Sequence, residues 1–419
     1  MKTDLSITQK LLKSAFRRII FLFSGCWALP LVFVMRLMSP LVIIRLGTIR
    51  SDRIGHFVAD AIEQKVRIQI SKNRKIHDYF WLSAWSANTQ WEAMVRREFS
   101  VYDWTRFIDL WNRILPGGEK HIRPSTYTWS RDVHGICRDG AGAFSFTENE
   151  DSIAKKYLSS VGWQEGRPFV CLLVRDAAYL SKEENLTGGE GDPGKWDYHN
   201  YRDSDIKCYR AAVNWLADQG FFIFRMGKIA RDPLGVDHPL VIDYAFDDQK
   251  TDLLDVWLFA HCNFCISTGT GPDAISMVYG KPNLYLNAMP LADLHSFQNS
   301  TWIPKNLFWE HDGRPLSLRD YVDSYFSSAE QYHKAGIEIS DLTESELKTY
   351  VQEFYLRYNG LWVDTAEDCK LHGLFWKALE EWPRYKRHHV WRHDESRTCL
   401  LYTSPSPRDQ RGSRMPSSA

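Results

Sequence analysis

The chain has 419 residues, which is too long for one compact core and is typical of two α/β domains. Hydrophobic residues make up 44% and charged residues 25%, an ordinary globular composition that excludes an intrinsically disordered chain. Lysine plus arginine and aspartate plus glutamate balance at 52 each, so no overall positive field points to a nucleic-acid partner.

The N-terminal segment combines basic and apolar residues. Residues 1–18 contain five basic residues in an amphipathic helical pattern, which suits an anionic membrane surface. The next 17 residues are uncharged and include Pro30. At the helical rise they would extend roughly 26 Å, short of the roughly 30 Å of a hydrocarbon core. We expect residues 1–39 to lie on or dip into the cytoplasmic face of the inner membrane; a true span and a buried core helix are the alternatives.

Residues 40–162 alternate short apolar runs with helical patterns, which predicts a first Rossmann-like domain. Strands are expected at residues 41–46, 66–70 and 79–82, and helices at residues 57–64 and 89–99. Beyond Val101 the periodic signal weakens.

Residues 163–398 repeat the strand–helix–strand pattern more clearly, after a linker with Gly and Pro at residues 162–168. Strands are expected at residues 169–174, 221–226, 240–244, 264–268 and 283–286, with helices at residues 204–219, 251–261 and 272–279. The repeat predicts a doubly wound sheet. The expected fold class is therefore α/β, with two Rossmann-like domains and an N-terminal helical segment.

Residues 399–419 do not fit this globular pattern. The run CLLYTSPSPRD resembles the translation of a sequencing-library adapter, and the residues after it are rich in Pro, Ser and Arg. We expect a non-native tail there and end the folded part at residue 398. The seven other cysteines are scattered, which favours reduced thiols over a disulfide framework.

The clearest local motif is the run STGTGPD at residues 267–273. It places hydroxyls and glycines between a predicted strand and a predicted helix, where backbone N–H groups can approach an anion. The motif predicts a diphosphate cradle, with a tight turn that binds nothing as the alternative. The residues of this cradle are Thr268, Gly269, Thr270, Gly271 and Asp273.

Residues 267–287 resemble the donor-phosphate element of bacterial heptosyltransferase-like enzymes of the GT-B type. In those enzymes Thr-Gly-Pro precedes a helix and Gly-Lys-Pro precedes a strand. Five shorter stretches resemble a family of glycosyltransferases from bacterial surface-polysaccharide clusters: RIGH at residues 53–56, LLVRD at 172–176, HNYRDSDI at 199–206, RMG at 225–227 and IPK at 303–305. The resemblance covers about residues 40–326, more specifically in the second half. It implies the GT-B architecture and a nucleotide-sugar donor.

Several basic residues are candidate donor ligands. Arg202 is placed to bind phosphate oxygens with its planar guanidinium, and His199 to contact the base or sugar. Arg225, after a strand at the same sheet edge, is a second phosphate candidate. Arg175 and Gly227 are candidate donor-binding residues only because the resemblance implies them. The alternative is a solvated Arg202 beside residues that only cap a helix.

Asp203, Ser204 and Asp205 spell DxD, the signature with which other glycosyltransferases bind a divalent cation. Because the motif opens a predicted helix, Asp203 or Ser204 is expected as its N-cap. We therefore expect neither a metal nor another cofactor.

Asp52 and His56 follow the first predicted strand. An inverting glycosyl transfer needs a base beside the acceptor hydroxyl. Heptosyltransferase-like enzymes have a carboxylate in the corresponding loop, so the resemblance implies Asp52. His56 has the more suitable unperturbed pKa, about 6.5. Both are catalytic candidates, with capping of the next helix as the alternative.

These patterns together predict a bacterial, membrane-associated glycosyltransferase. Its expected partners are a nucleotide-sugar donor, a membrane-proximal glycan or lipid-linked acceptor, and the membrane surface. Two alternatives are a nucleotide-sugar epimerase of the same architecture and a non-catalytic protein that binds glycans or nucleotides.

Overall fold

The computed structural model describes residues 7–71, 74–83, 85–124, 131–176, 197–394 and 396–398, with only the backbone described at residues 7–18, 197–199 and 398. The expected tail at residues 399–419 lies outside the described residues. The chain divides into two compact units. The first unit comprises Met1–Ser130 and Ala141–Glu150, and the second Arg131–Gly140 and Asp151–Ala419. The division falls before the linker expected at residues 162–168.

The first unit has a small parallel sheet with helices. The helices are α1 (Ile7–Leu37), α2 (Ile54–Ser71), α3 (Thr89–Glu98) and α4 (Thr105–Ile114), and the strands are β1 (Ile43–Ile49), β2 (Ile76–Leu82) and β3 (Ser100–Val101). The sheet order is β1-β2-β3, with Ile43 opposite Ile76 and Tyr79 opposite Ser100. A further helix, α5 (Glu148–Ser160), includes residues of both units.

Helix α2 of the first unit is longer than the sequence predicts. The strand expected at residues 66–70 is wrong, because these residues continue α2. Phe57, Ala61 and Ile62 place buried apolar residues at helical spacing, and Val66 extends the same face. In the N-terminal segment, α1 runs as one helix through Pro30.

The second unit contains the larger sheet. Its strands are β4 (Phe169–Leu173), β5 (Phe222–Arg225), β6 (Val241–Ile242), β7 (Phe264–Ser267), β8 (Asn283–Leu286), β9 (Ser300–Ile303) and β12 (Arg397–Thr398), and β10 (Asn306–Trp309) pairs separately with β11 (Ile337–Ser340). Its helices are α6 (Arg210–Asp218), α7 (Asp252–His261), α8 (Asp273–Val278), α9 (Leu318–Asp323), α10 (Ala329–Lys334), α11 (Glu344–Tyr358), α12 (Ala366–Glu380) and α13 (Tyr385–His388).

The strand order of the seven-stranded sheet is β12-β9-β8-β7-β4-β5-β6, and every pair is parallel. Starting from β4, the chain first adds β5 and β6 on one side and then β7, β8 and β9 on the other. This is the doubly wound order of a Rossmann sheet, with β12 added at one edge. The predicted α/β class with parallel sheets is confirmed. The order reverses between β4 and β7, which is where such sheets bind their ligands.

Candidate functional site

The turn after β7 is held by its own residues. The Oγ of Ser267 donates to Oδ2 of Asp273 at 2.6 Å, and the N–H of Thr270 donates to the same oxygen at 2.8 Å. The N–H of Gly269 donates to Oγ of Ser267 at 3.1 Å. Burial raises the pKa of Asp273 to about 6, although these hydrogen bonds act to lower it. Two amides that the cradle was expected to offer to an anion are therefore satisfied within the turn.

Gly269 is the position where the turn requires glycine. Its φ is +75°, in the left-handed region, while Gly271 lies outside that region and is exposed. A Cβ added at Gly269 would lie 3.8 Å from the ring of Trp302, an ordinary contact distance. Backbone conformation, and not space, is thus what restricts Gly269, whereas Gly271 is open to its surroundings.

Arg175 and Thr268 connect the ends of β4 and β7. The N–H of Arg175 donates to Oγ1 of Thr268 at 3.0 Å, and the N–H of Thr268 donates to the carbonyl of Leu173 at 3.2 Å. The Nε of Arg175 donates to Oδ1 of Asp203 at 3.1 Å. Both sequence-predicted residues therefore lie where the strand order reverses.

Arg202 lies beside the same turn. It ends a 3-10 helix, Asp197–Arg202, and its Nη2 donates to the carbonyl of Gly269. Its Nε is buried and has no hydrogen-bond acceptor within the part of the chain that the structure describes. A buried donor of this kind usually has a partner, and an anionic oxygen would supply one. The backbone of His199 belongs to the same 3-10 helix, but its side chain lies outside the described residues.

Arg225 has a different environment from the one that the sequence suggested. It is 1% exposed; Nη1 donates to Oδ1 of Asp243 at 3.3 Å and Nη2 to the carbonyl of Asp232 at 3.2 Å. Its guanidinium lies 5.5 Å from the ring centre of Phe246. The structure thus places Arg225 in the packing around β5, where its Nε, like that of Arg202, has no acceptor among the described residues but the side chain as a whole is inaccessible. Gly227 is also a packing position, because an added Cβ would lie 3.2 Å from Cβ of Ala245.

A buried polar network fixes the loop that contains Asp203. Lys305 lies 2.6 Å from Oδ1 of Asp341 and donates to the carbonyl of Asp203 at 2.5 Å. The Oγ of Ser204 donates to Oδ2 of Asp341, and Nδ2 of Asn287 donates to Oγ of Ser204, each at 2.9 Å. Sequence reasoning missed this network, although the IPK stretch supplies Lys305. It positions the segment that follows Arg202.

The DxD carboxylates have protein partners. Asp203 pairs with Arg175, and Asp205 accepts the N–H of Lys207 at 2.9 Å as N-cap of the 3-10 helix Ile206–Tyr209. The cap is therefore Asp205, instead of the expected Asp203 or Ser204. Among the residues that the structure describes, no group of three or more potential metal ligands occurs.

In the first unit, Asp52 precedes α2 and contacts Arg50, whose Nε donates to Oδ1 of Asp52 at 2.8 Å. Burial by itself would raise the pKa of Asp52, but the contact with Arg50 and the charge of Arg53 outweigh it and bring the pKa below its usual value. Asp52 is therefore ionised at neutral pH, but the lowered pKa makes it a weaker base than an ordinary aspartate.

His56 lies in the first turn of α2. Burial, followed by the charges of Arg50 and Arg53, lowers its pKa to about 4, so it is neutral at pH 7 and a weak base. Asp60 lies one turn later on the same helix face, and burial together with Glu63 raises its pKa to about 7. The sequence analysis missed Asp60. Its four-residue spacing from His56 was the available signal.

A small cavity of about 30 Å³ occurs in the second unit. Lys281 and Asn299 line this cavity. Lys281 comes shortly before β8 and Asn299 immediately before β9, so the cavity lies at the amino-terminal ends of these strands. It has room for little more than a water molecule. The cavity is too small for a nucleotide, and it lies at the opposite edge of the sheet from the carboxyl ends of the strands, where doubly wound sheets bind their ligands.

No protein-family model matches the chain, and no curated protein matches it in sequence. Among solved structures, one to which the chain is similar is a glycosyl transferase of family 9. This is the protein from Veillonella parvula DSM 2008, with 9% identity and a TM-score of 0.45 over 74% of this chain and 97% of that chain. Another is the ADP-heptose lps heptosyltransferase II of E. coli, with 10% identity and a TM-score of 0.31 over 58% of this chain and 84% of that chain. At these scores neither similarity defines the chemistry of this chain.

Proposed function

We propose that the chain is a glycosyltransferase of the GT-B type that uses a nucleotide-sugar donor. One observation carries the proposal: the buried Nε of Arg202, which has no acceptor among the described residues, belongs to a side chain that contacts the turn after β7. Doubly wound sheets bind nucleotides where the strand order reverses, and this turn follows one of the two strands concerned. A diphosphate oxygen would satisfy the donor.

The sequence supports sugar chemistry at this position. Residues 267–287 resemble the donor-phosphate element of heptosyltransferase-like enzymes, which favours a nucleoside diphosphate sugar over other nucleotides. We further propose a membrane-proximal glycan or lipid-linked acceptor, in bacterial surface-polysaccharide synthesis at the cytoplasmic face of the inner membrane. This finer assignment rests on the resemblance and on the N-terminal segment.

In the proposed reaction, an acceptor hydroxyl oxygen attacks the anomeric carbon while the bond from that carbon to the diphosphate oxygen breaks. The nucleoside diphosphate leaves with the bonding electrons, and Arg202 stabilises the charge that develops on it. The hydroxyl proton passes to a base, for which Asp52, His56 and Asp60 are the candidates. No step in this scheme requires a metal.

Thermal stabilisation by UDP, GDP, CMP and dTDP tests the donor site, because a ligand of the folded state raises its apparent stability. We expect one nucleotide to raise the Tm of the wild type. Arg202→Ala should weaken its binding by about 10- to 150-fold, since a charge-assisted contact is lost. Arg314→Ala is the matched control, because Arg314 is an exposed arginine that pairs with Asp312 on the surface. Unchanged binding in Arg202→Ala would remove the phosphate role.

A second assay separates the alternatives. The matching nucleotide sugar is incubated with and without an acceptor, and the sugar products are identified. Release of nucleoside diphosphate together with an acceptor-linked sugar supports transfer. Epimerised nucleotide sugar in the absence of acceptor identifies an epimerase, and binding without turnover identifies a non-catalytic protein.

A further inference from the structure

The second half of α1 has an apolar face that the first unit leaves exposed. Residues 19–35 contain no charged side chain, and Ile19–Leu37 is long and apolar enough to cross a membrane by length and composition. A buried core helix passes the same test, but here Phe23 is 75% and Leu37 81% exposed. The exposed face comprises Leu22, Phe23, Leu31, Phe33, Val34 and Leu37. An apolar face of this length is typical of an interaction surface.

The opposite face of α1 packs on α4. The ring of Phe21 stacks on Trp111 with centroids 4.7 Å apart, and Nε1 of Trp111 donates to Oγ of Ser24 at 3.0 Å. A Cβ added at Gly25 would lie 2.9 Å from Trp111, so the two helices approach closely there. Val32 continues the buried face toward the C-terminal end of α1.

Arg36 fixes that end. Its guanidinium donates to Oδ1 and to the carbonyl of Asn112, and to the carbonyls of Leu115 and Pro116, at 2.7 to 3.0 Å. The contacts with α4 therefore extend over almost the whole apolar segment. Because α4 carries Asp109 and Arg113, it cannot accompany α1 into a hydrocarbon core. A spanning α1 would lose these contacts, whereas a helix lying in the membrane plane keeps them.

Aromatic residues border the exposed face. Trp27 contacts Trp104 and Phe107, with ring centroids 6.3 and 5.8 Å apart, and Trp104 and Tyr102 are themselves exposed. Trp and Tyr concentrate at membrane–water interfaces. The first 18 residues of the sequence add five basic residues against one acidic residue, a charge complementary to anionic headgroups. Apolar face, aromatic border and basic flank favour a lipid surface over a protein partner.

We propose that α1 docks on an anionic lipid bilayer as an in-plane, monotopic helix, with its exposed apolar face in the interface and its other face held on α4. The surface belongs to the first unit and does not depend on glycosyl transfer. Experiments on membrane binding therefore test this surface independently of the proposed glycosyltransferase function.

Flotation with lipid vesicles tests the surface. The full chain is mixed with phosphatidylcholine vesicles that contain or lack phosphatidylglycerol. We expect binding to the anionic vesicles, and a loss of about tenfold or more for Leu37→Glu, since a charged side chain replaces an apolar one at the interface. The matched control is Leu361→Glu, because Leu361 is 64% exposed in the second unit. It should bind as the wild type does.

Three outcomes would contradict the proposed lipid-binding surface: unchanged flotation of Leu37→Glu, equal losses of binding in Leu37→Glu and Leu361→Glu, or no binding of the wild type to anionic vesicles. Analytical sedimentation without lipid tests whether a second copy of the chain binds this face instead. If the wild type forms a dimer that Leu37→Glu dissociates, a second copy of the chain covers the face and the lipid assignment is wrong.

The orientation of α1 is tested by depth-dependent quenching. A fluorophore is attached to Phe23→Cys, Leu31→Cys or Leu37→Cys, in a background where the exposed Cys26 and Cys369 are serine. Lipids with a spin label near the headgroup should quench all three positions more than lipids labelled at the bilayer centre. Strongest quenching of position 31 by the central label would identify a spanning helix and overturn the in-plane arrangement.

Discussion

The ends of the two parallel sheets carry different kinds of charge. Beside the ends of β4 and β7 in the second unit lie Arg175 and Arg202, whose planar guanidinium groups suit contacts with anionic oxygens. After β1 of the first unit lie Asp52, His56 and, one helical turn later, Asp60, whose pKa values all depart from their usual range. Guanidinium groups suit the binding of an anion, and titratable groups suit the movement of a proton. The difference is consistent with our proposal that residues of the second unit bind the donor and a residue of the first unit accepts the proton.

The largest expected effect separates the acid–base candidates. If Asp52 is the base, Asp52→Asn should lower kcat by about 10²- to 10⁴-fold and leave nucleotide affinity unchanged, because the carboxylate that accepts the proton is lost. Asp60→Asn is the comparison. If Asp60 were the base instead, kcat/KM of the wild type would rise with pH to a plateau above about 7, following its pKa. With Asp52 as base, the rise lies below the usual pKa of an aspartate, because the contact with Arg50 lowers the pKa of Asp52. Full activity in both variants would leave His56 as the remaining candidate.

Alanine variants of Arg225 and Arg202 test which arginine of the second unit binds the nucleotide. Arg225→Ala should lower the free energy of unfolding by about 1–3 kcal/mol, since it removes a buried guanidinium that pairs with the partly exposed Asp243. Arg202→Ala should change stability little and mainly weaken nucleotide binding. Urea unfolding and nucleotide titration measure the two effects. A stable Arg225→Ala variant that no longer binds nucleotide would restore Arg225 as a phosphate ligand.

Glycine substitutions give a smaller effect. Gly269→Ala should cost about 1–2 kcal/mol, because a side chain disfavours the left-handed backbone at φ +75°. Gly271→Ala should stay within about 0.5 kcal/mol, as an exposed residue of ordinary conformation. Equal destabilisation by both in urea unfolding would mean that the turn adopts another conformation.

The pH dependence of stability should also differ between the wild type and the Asp60→Asn variant. The pKa values of Asp273 and Asp60 are raised to about 6 and about 7, so the folded state holds these protons more tightly than the unfolded chain. This contribution, on the order of 3–4 kcal/mol each, is present below the unfolded pKa near 4 and is lost as pH rises through the folded pKa. Asp60→Asn should remove the part lost up to about pH 7. An unchanged profile of urea midpoints from pH 4 to 8 would contradict the shift.

The central strands of the large sheet could be predicted from the sequence because each contains a short apolar run. β4, β7 and β8 are buried on both faces, and their runs were located to within a residue or two. β12 has two residues and β9 begins with Ser300 and Thr301, so only pairing within the sheet defines them. The strand predicted at residues 66–70 was wrong because the short apolar run was considered alone, without the preceding helical turns that it continues as part of α2.

The site was predictable where its signal is local. The glycines and hydroxyls after β7 lie next to one another in the sequence, and Arg202 belongs to a recognisable motif. The roles of Lys305 and Arg225 depend on Asp341 and Asp243, which come from other segments of the chain. Asp60 needed its burial to be known before its pKa could be judged. No periodicity encodes such partners.

The internal hydrogen bonds of the turn after β7 also have a consequence for binding kinetics. Because Asp273 already holds Ser267 and Thr270, the turn needs no anion to take its shape. A ligand that meets a preformed surface loses no free energy to ordering it. We therefore expect stopped-flow association to be a single exponential whose rate rises linearly with nucleotide concentration, limited by encounter and orientation. A rate that levels off at high concentration would show that a conformational step, elsewhere in the chain, precedes tight binding.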